Sequence, residues 1–472
     1  MNKVFSYIFP FSLIFLASQT FALPVFTKQT GEGCSSCHLN IGELTPAGRK
    51  FKLMGYSAGQ RVLPFSFSAV ASLTHINSTS SSLSPSVSMP KNGSIIPETG
   101  SAYLAGKYWD DLGGYVKLTF NLANTTPVFG SQGVQTGAKV GSDSFLDASE
   151  IRYSREFSMG GHDIIWGATF NNAPGVQDLW VTTPVNSFPY KTSGLLNAWG
   201  IGQFGPATMI DGGLTSQVAG LGIYTMIDDN IYAEFSNYRG TVTGVTALDL
   251  SGPIANFSSS FNPYWRLSYN KVAGQNSYMF GTFGLISNLS RDPLIPGSSS
   301  AQYRDIGFDA EYQHITDTHS YSAQLTFIDE HVDWNARSVG RNHDFSTSNL
   351  YTLKTKLTYD YGRKYGTNLF GFLSNGTQDN LYWAYNSNPA VITGACNQTN
   401  SLLSYCSLNG KPQTIGYGFE FYYVPIPNVH VALQQTTYTK FLGGSTFVDN
   451  SSGAIRRASD NNFTYLYILF SY

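Results

Sequence analysis

From Leu63 onward the chain alternates. Short segments carry apolar residues at one parity and small, polar or charged residues at the other, which is the period of a β-strand whose two faces meet different surroundings. In 351–361, the residues Tyr351, Leu353, Leu357, Tyr359 and Tyr361 share one face, and Thr352, Lys354, Lys356, Thr358 and Asp360 the other. In 303–313, Ile306, Phe308 and Tyr312 oppose Asp305, Asp309, Glu311 and Gln313. The segments 231–236, 265–270, 321–326 and 415–423 repeat the pattern. A soluble sandwich also alternates, with charge outside and apolar residues inside, so alternation alone does not decide the class.

The spacing of the segments does. Candidate strands join in pairs through very short turns at 110–113, 158–161, 228–229, 273–275, 316–318, 362–363 and 425–427. Between the pairs lie long polar connections at about 76–100, 122–143, 172–213, 241–260, 289–301, 333–345, 377–412 and 442–460. Short turns alternating strictly with long loops predict an all-β fold: an outer-membrane antiparallel β-barrel of about 16 strands, with turns in the periplasm and loops outside. This places the chain in the outer membrane of a bacterium, surrounded by lipid. In the last strand Thr464, Leu466, Ile468, Phe470 and the terminal Tyr472 form one face, resembling the C-terminal signal of such proteins. The opposite parity, Phe463, Tyr465, Tyr467 and Leu469, is apolar where a water-filled pore is polar. That fits a filled lumen; a tight turn or a subunit contact would explain it equally.

Composition narrows the class further. Of 472 residues only 12% are charged, 15% are aromatic, and the net charge is -2. An ordinary soluble chain carries about 25% charged residues. With a mean hydropathy of -0.13 the chain is too polar for a helical membrane protein, and it is too aromatic for a disordered one. Without a basic excess there is nothing to neutralise phosphates, which excludes nucleic acid as a partner. Residues 1–22 read as a signal peptide: Lys3 supplies the positive end, 4–17 are almost unbroken apolar, and Thr20-Phe21-Ala22 fits a cleavage site. The remaining chain divides into a segment 23–62 and the barrel 63–472.

Segment 23–62 holds Cys34-Ser35-Ser36-Cys37-His38, the C-x-x-C-H pattern of c-type haem attachment. Two thiols add to the two vinyl groups of one haem, and the histidine that follows reaches the iron. A zinc site would need two more ligands, and the only other cysteines, Cys396 and Cys406, stand far away in a predicted external loop, where a disulfide is the expected use. A thioredoxin-like pair would need a βαβ context that the sequence lacks. The pattern therefore predicts one covalent haem c, tethered by Cys34 and Cys37 with His38 as axial ligand. Met54, beyond Pro46, is the candidate sixth ligand or a packing residue against the macrocycle, with His75 the runner-up. Some 40 residues bury little core alone, so this small cytochrome segment is expected to plug the barrel lumen.

Two stretches resemble a known family. Gln29-Thr30-Gly31 before the haem pattern, then Leu44-Thr45-Pro46-x-Gly48-Arg49-x-Phe51-Lys52-Leu53-x-Gly55-Tyr56, resembles the N-terminal signature of fused outer-membrane cytochrome-porins, the iron-oxidising monohaem cytochromes c. The second stretch is Asn171-Asn172-Ala173-Pro174-x-Val176-Gln177-Asp178-x-Trp180, followed by Thr182-Thr183-Pro184 and Phe188-Pro189-Tyr190. The resemblance implies a ferrous iron oxidase: electrons from extracellular ferrous iron enter the haem and pass to a periplasmic acceptor, a cytochrome c or a copper protein. Two other readings stand beside it, a solute porin in which haem is a structural staple, and a haem-bearing scaffold or sensor for other outer-membrane redox proteins. Lys354 and Lys356 facing Asp305, Asp309 and Glu311 would give a porin a transverse field. Asp143, Asp178, Asp333 and Asp344 are oxygen ligands hard enough for iron, or merely solvated loop charge. Residues 172–194, rich in prolines and aromatics, read as a loop folded into the lumen, with Gln177 and Asp178 near the point where electrons enter, or as a purely structural constriction.

Overall fold

The computed structural model describes residues 23–77, 91–122, 125–129, 135–140, 143–183, 188–191, 193, 196, 204–214, 218–240, 257, 259–290, 300–336, 339–340, 343–387, 396, 405–450 and 452–472. Residues 1–22, expected to be a signal peptide, and parts of the long loops, Pro184 among them, lie outside the described residues.

Sixteen antiparallel strands close into a barrel. In chain order they are β1 (Phe65–Ile76), β2 (Ile95–Trp109), β3 (Leu112–Asn121), β4 (Asp143–Leu146 and Glu150–Met159), β5 (His162–Asn171), β6 (Val218–Ile227), β7 (Ile231–Gly240) and β8 (Pro263–Ala273). The second half follows as β9 (Asn276–Ser290), β10 (Ser300–Ile315), β11 (His319–Trp334), β12 (Thr347–Tyr361), β13 (Tyr365–Gly376), β14 (Thr414–Ile426), β15 (Val429–Lys440) and β16 (Phe463–Ser471). Both halves of β4 pair with β3. Closure runs from Phe463 opposite Ile76 to Ser471 opposite Ser68. All seven expected turns are present at one end, each two or three residues between strands, and the long loops all leave the other end. At 160–161 the turn is made by two left-handed glycines, φ 62° and 82°, a conformation that costs glycine least.

The strand faces are inverted relative to a soluble protein. Ile306, Phe308, Leu325, Leu357, Leu369 and Leu433 are exposed outward, while Asp305, Asp309, Glu311, Glu330 and Lys356 are buried inside. A belt of outward Tyr269, Tyr278, Tyr312, Tyr321, Tyr361, Tyr365 and Tyr423 rings the turn end, with Tyr278–Tyr312 at 5.2 Å and Tyr365–Tyr423 at 4.9 Å. Sixteen residues of β10, at roughly 3.3 Å each and tilted by about 40°, climb roughly 40 Å, enough to carry an apolar band of about 25 Å with its aromatic girdle. Water cannot satisfy an apolar surface of this extent, and a closed barrel leaves no strand edge unpaired in lipid. The chain is an outer-membrane β-barrel, with the turn side periplasmic by the rule for such barrels.

The lumen is filled from both ends. From the turn side enters the N-terminal segment: α1 (Pro24–Thr30), a single turn α2 (Cys34–Cys37), a small hairpin (His38–Asn40 and Glu43–Leu44) and α3 (Pro46–Leu53). Pro24 and Pro46 sit at helix starts, where a missing N–H costs nothing. Thr45 Oγ1 caps α3 by accepting from Gly48 N–H, and Gly31, left-handed at φ 76°, ends α1. From the loop side, 172–183 fold inward and are almost wholly buried. The apolar inner parity of β16 lies under this filling, with Phe463, Tyr465 and Tyr467 inaccessible to solvent and Phe188 against Tyr467 at 5.9 Å.

Candidate functional site

Each motif residue of the plug has a physical task. Gln29 donates to the carbonyls of Tyr56 and Ala58, both at 2.7 Å, and its amide oxygen accepts from Lys107 N–H at 2.8 Å, so one side chain ties both ends of the segment to the barrel wall. Thr45 N–H donates to Cys37 O at 3.0 Å, and its hydroxyl to Ser36 O at 2.5 Å, which pins the cysteine turn to the start of α3. A Cβ at Gly48 would stand 2.1 Å from Cys37 O, so only glycine lets the helix cross there. Gly113 is needed on the wall side for the same reason, since a Cβ would lie 2.6 Å from Gly55 O.

The plug is held by charge. Arg49 Nη1 pairs with Glu311 at 2.7 Å and donates to Gln313 at 3.0 Å, while Nη2 donates to Ser277 at 2.7 Å. Glu43 meets Lys356 at 3.0 Å. Burial raises the Glu43 carboxyl, but the Lys356 ammonium and the hydrogen bonds from Ser322, Lys356 and Gln313 together outweigh burial and hold it below the ordinary carboxylate value. Lys52 lies 3.7 Å from Glu150 and donates to the carbonyls of Val176 and Asp178 on the inward loop. Burial lowers its ammonium, against the pull of Glu150. Tyr56 donates to Glu150 at 2.8 Å and Tyr224 to Leu53 O at 2.7 Å.

The loop is fixed as firmly. The Asp178 carboxylate accepts from the backbone of Trp180, Thr182 and Thr183 and lies 3.5 Å from Arg266. Gln177 accepts from Asn171 and Ser236 and donates to Tyr238 at 2.6 Å. Arg152 donates to Gln177 O at 2.8 Å, and Tyr190 to Thr355 O at 2.7 Å.

Between plug and loop lies a cavity of about 270 Å³, near the lower end of the roughly 300–1,000 Å³ usual for ligand clefts. Cys34, Cys37 and His38 line it together with Phe51, Tyr56 and, as its roof, Val176 and Phe188. Its wall residues on the barrel, Ser68, Tyr103, Tyr115 and Leu469, place it at the turn end. The two thiols are not joined to each other; burial raises the Cys37 thiol, with Glu32 adding to the effect. Burial pushes His38 down to about 4, against a backbone hydrogen bond at Asn40, so its ring is neutral near pH 7, the form that binds a metal. Its Nδ1 is buried without a hydrogen-bond partner among the described residues. Two thiols, a neutral imidazole with an unsatisfied nitrogen, and flanking aromatic walls form a donor set that fits a c-type haem.

Other sequence expectations fall elsewhere. Met54 packs against the cluster of Leu53, Leu179, Trp180 and Met279 and is not among the cavity-lining residues. His75 is outward-facing near the loop end of β1, far from His38. Asp178 is a buried lumen residue rather than loop surface, because backbone donors and Arg266 draw it in. Asp333 pairs with Arg304 and Asp344 accepts from Asn380 N–H; Asp143 sits in β4. Among the described residues no group of three or more His, Cys, Asp or Glu side chains could hold a metal ion. The lumen charges make no open transverse field: Lys354 pairs with Asp211, Lys356 with Glu43, Glu311 with Arg49 and Asp309 with Arg266. Cys396 and Cys406 form the expected disulfide.

A second cavity opens on the loop side, where His343 is stacked between Trp334 at 3.6 Å and Tyr382 at 4.7 Å, with Asp379 at 2.9 Å from its Nδ1. One buried aromatic cluster joins the two ends, from Phe188 and Tyr467 through Tyr190, Phe372 and Tyr438 to Phe441 and Tyr405. No family model and no curated protein matches the chain. Among solved structures it is similar to OmpT of Vibrio cholerae, with TM-score 0.42 and 9% identity over 86% of this chain and 96% of that one. It is similar also to the channel DcaP of Acinetobacter baumannii, with TM-score 0.43 and 10% identity over 86% and 96%. The values for OprB of Pseudomonas putida are 0.45 and 11% over 86% and 93%.

Proposed function

We propose that this outer-membrane barrel is an electron conduit, an iron-oxidising cytochrome-porin in which one haem c, tethered by Cys34 and Cys37 with His38 as axial ligand, takes electrons from extracellular ferrous iron and serves a periplasmic cytochrome c or copper protein. The observation that carries this reading is the position of the C-x-x-C-H turn, on the wall of a cavity that opens at the periplasmic end and is roofed by the inward loop. When bound, the haem supplies a reversible one-electron centre. The chain's own residues do the rest. Gln29, Thr45 and Gly48 set the attachment turn, Arg49 and Glu43 lock the plug in one orientation, and Lys52 ties plug to roof. Solute flow is opposed by the same packing, because the lumen charges a pore would present to water are bound to plug and loop residues.

The test is anaerobic stopped-flow reduction of the oxidised holoprotein in proteoliposomes with its loops outward, using external ferrous iron and reading the haem absorption bands. Fast reduction, absent when an outside chelator removes the iron, supports the conduit. Haem that stays oxidised while planar bilayers carry steady current would transfer the assignment to a solute porin. A Cys34→Ala/Cys37→Ala variant keeps the barrel and loses covalent haem.

A further inference from the structure

The lumen wall answers its buried carboxylates one by one. Among the described strand residues, Glu150, Asp309 and Glu311 each meet a guanidinium, and Glu98, Glu234, Asp360 and Glu420 each accept from a phenol. Asp305 and Glu330 are the exception. They stand directly opposite each other on β10 and β11, 2% and 3% exposed, where like charges repel. Each accepts one backbone N–H of the inward segment, Asp305 from Ile210 at 2.9 Å and Glu330 from Met209 at 2.8 Å. Asp305 Oδ1 has no hydrogen-bond partner among the described residues. Arg266, Arg304 and Lys354, on β8, β10 and β12, are paired elsewhere, with Asp309, Asp333 and Asp211. A proton shared between the two carboxyls would still leave one negative charge over.

That charge borders the loop-side cavity, which Glu330 lines. The cavity holds about 360 Å³, within the roughly 300–1,000 Å³ usual for ligand clefts. The rings of Tyr303, Trp334, Tyr382, Trp383 and Phe441 line it, and among the described residues no Lys or Arg does. The other acid on its wall, Asp379, is taken up by His343 and by the N–H groups of Asp344 and Tyr382. We propose that this cavity binds an organic cation of the methylated-ammonium class from outside the cell, with the rings as its walls and the Asp305–Glu330 pair as its counter-charge. Ring faces attract a cation, most strongly where water is excluded. A metal ion is the poorer occupant: no group of three or more His, Cys, Asp or Glu side chains among the described residues could hold one, and rings cannot replace the oxygens that a small hard ion demands. A neutral sugar would suit the rings and leave the carboxylate pair unanswered. The site lies at the opposite end of the barrel from the cavity of Cys34, Cys37 and His38, and stands whether or not that cavity carries electrons.

The experiment titrates choline into the holoprotein in a non-ionic detergent by isothermal calorimetry. The wild type is expected to bind choline saturably, and to bind its uncharged isostere, in which carbon replaces the nitrogen, roughly tenfold or more weakly. Asp305→Asn/Glu330→Gln, which keeps acceptors for Ile210 and Met209 and removes the charge, lowers choline affinity by a similar factor. Glu98→Gln, on a carboxylate of another sector held by Tyr465, leaves it unchanged. A heat-modifiable barrel band in each variant shows that it folds. Absence of saturable choline binding in the wild type, equal binding of the uncharged isostere, or undiminished binding in the double variant overturns the site. Saturable binding of glucose without binding of choline would make the cavity a sugar site and overturn it equally.

Discussion

Replacing Arg49 by alanine tests whether buried charge, rather than apolar contact, holds the plug. Arg49 is 4% exposed, and the Glu311 side chain opposite it 1%. The truncation leaves Glu311 buried with Gln324 as a remaining donor at 2.6 Å, while Gln313 and Ser277 each lose the guanidinium. Breaking a buried pair from one side costs about 3–5 kcal/mol. At about 1.4 kcal/mol per factor of ten, the docked-to-undocked ratio of the plug falls roughly a hundredfold to several thousandfold. Hydrogen exchange reads this directly: amides of α3 in Arg49→Ala exchange faster by that factor, while amides of β10 keep the wild-type rate. Arg49→Met/Glu311→Leu removes both charges and recovers most of the protection, because two apolar side chains of similar size leave nothing unpaired. Exchange in α3 that is unchanged by Arg49→Ala, or a double variant as fast as the single one, would refute the reasoning.

Gly48→Ala places a methyl 2.1 Å from Cys37 O, so covalent haem on stained gels is expected to drop sharply while the heat-modifiable barrel band persists. Met54→Leu conserves volume in a cluster outside the cavity, so the haem midpoint potential should stay at the wild-type value and stability change by less than about 1.5 kcal/mol; a large fall in potential would identify Met54 as an iron ligand. Glu43, held below its ordinary value by Lys356 and its hydrogen bonds together, contributes stability that is complete above about 4.5 and is lost as pH falls through its lower native value. Protease resistance of the hairpin should therefore decline with acidification in the wild type, and be lower and flat across that window in Glu43→Gln.

The barrel was legible because its signals are local. Alternation at period two gave the outward and inward faces of β10 and β12 residue by residue, and the seven short turns fell where proline, glycine and aspartate interrupt that period. The C-x-x-C-H turn stood out because the covalent chemistry that its pattern implies fixes the spacing. What fills the lumen was only half visible, since the apolar parity of β16 announced a filling but not its partners. Arg49 and Glu311 are 262 positions apart, and no local pattern links residues joined only by barrel closure. A usable signal existed: Arg49 and Lys52 stand on one eight-residue helix in a chain with only 28 basic residues. The place of Met54 was not legible, because its distance from His38 along the chain suits an iron ligand and a packing residue alike; in the fold the left-handed Gly55 and Tyr56, φ 65° and 55°, end α3 with Met54 packed against the wall cluster.

A plug inside a barrel of this kind faces a wall lined with charge, so it cannot seal by burying apolar surface alone. Its faces must carry the complement of the wall, and Arg49, Glu43 and Lys52 each meet an opposite charge there. Buried pairs of this sort add little net stability over apolar contacts of equal volume, because desolvation consumes most of the attraction. Their effect is to make one orientation far better than any other, since a rotated plug would leave Arg49, Glu43, Lys52, Glu311 and Lys356 unpaired, with only Glu150 keeping a partner, Arg152. Orientation is what the site requires: the Cys34 to His38 turn must face the cavity that Phe188 also lines. Lys52 extends the same logic to the roof, where it holds two loop carbonyls that have no strand partner. Plug and loop are thus incomplete separately, and a haem tethered between them would be shielded from the outer medium by a seal that exists only when both are in place.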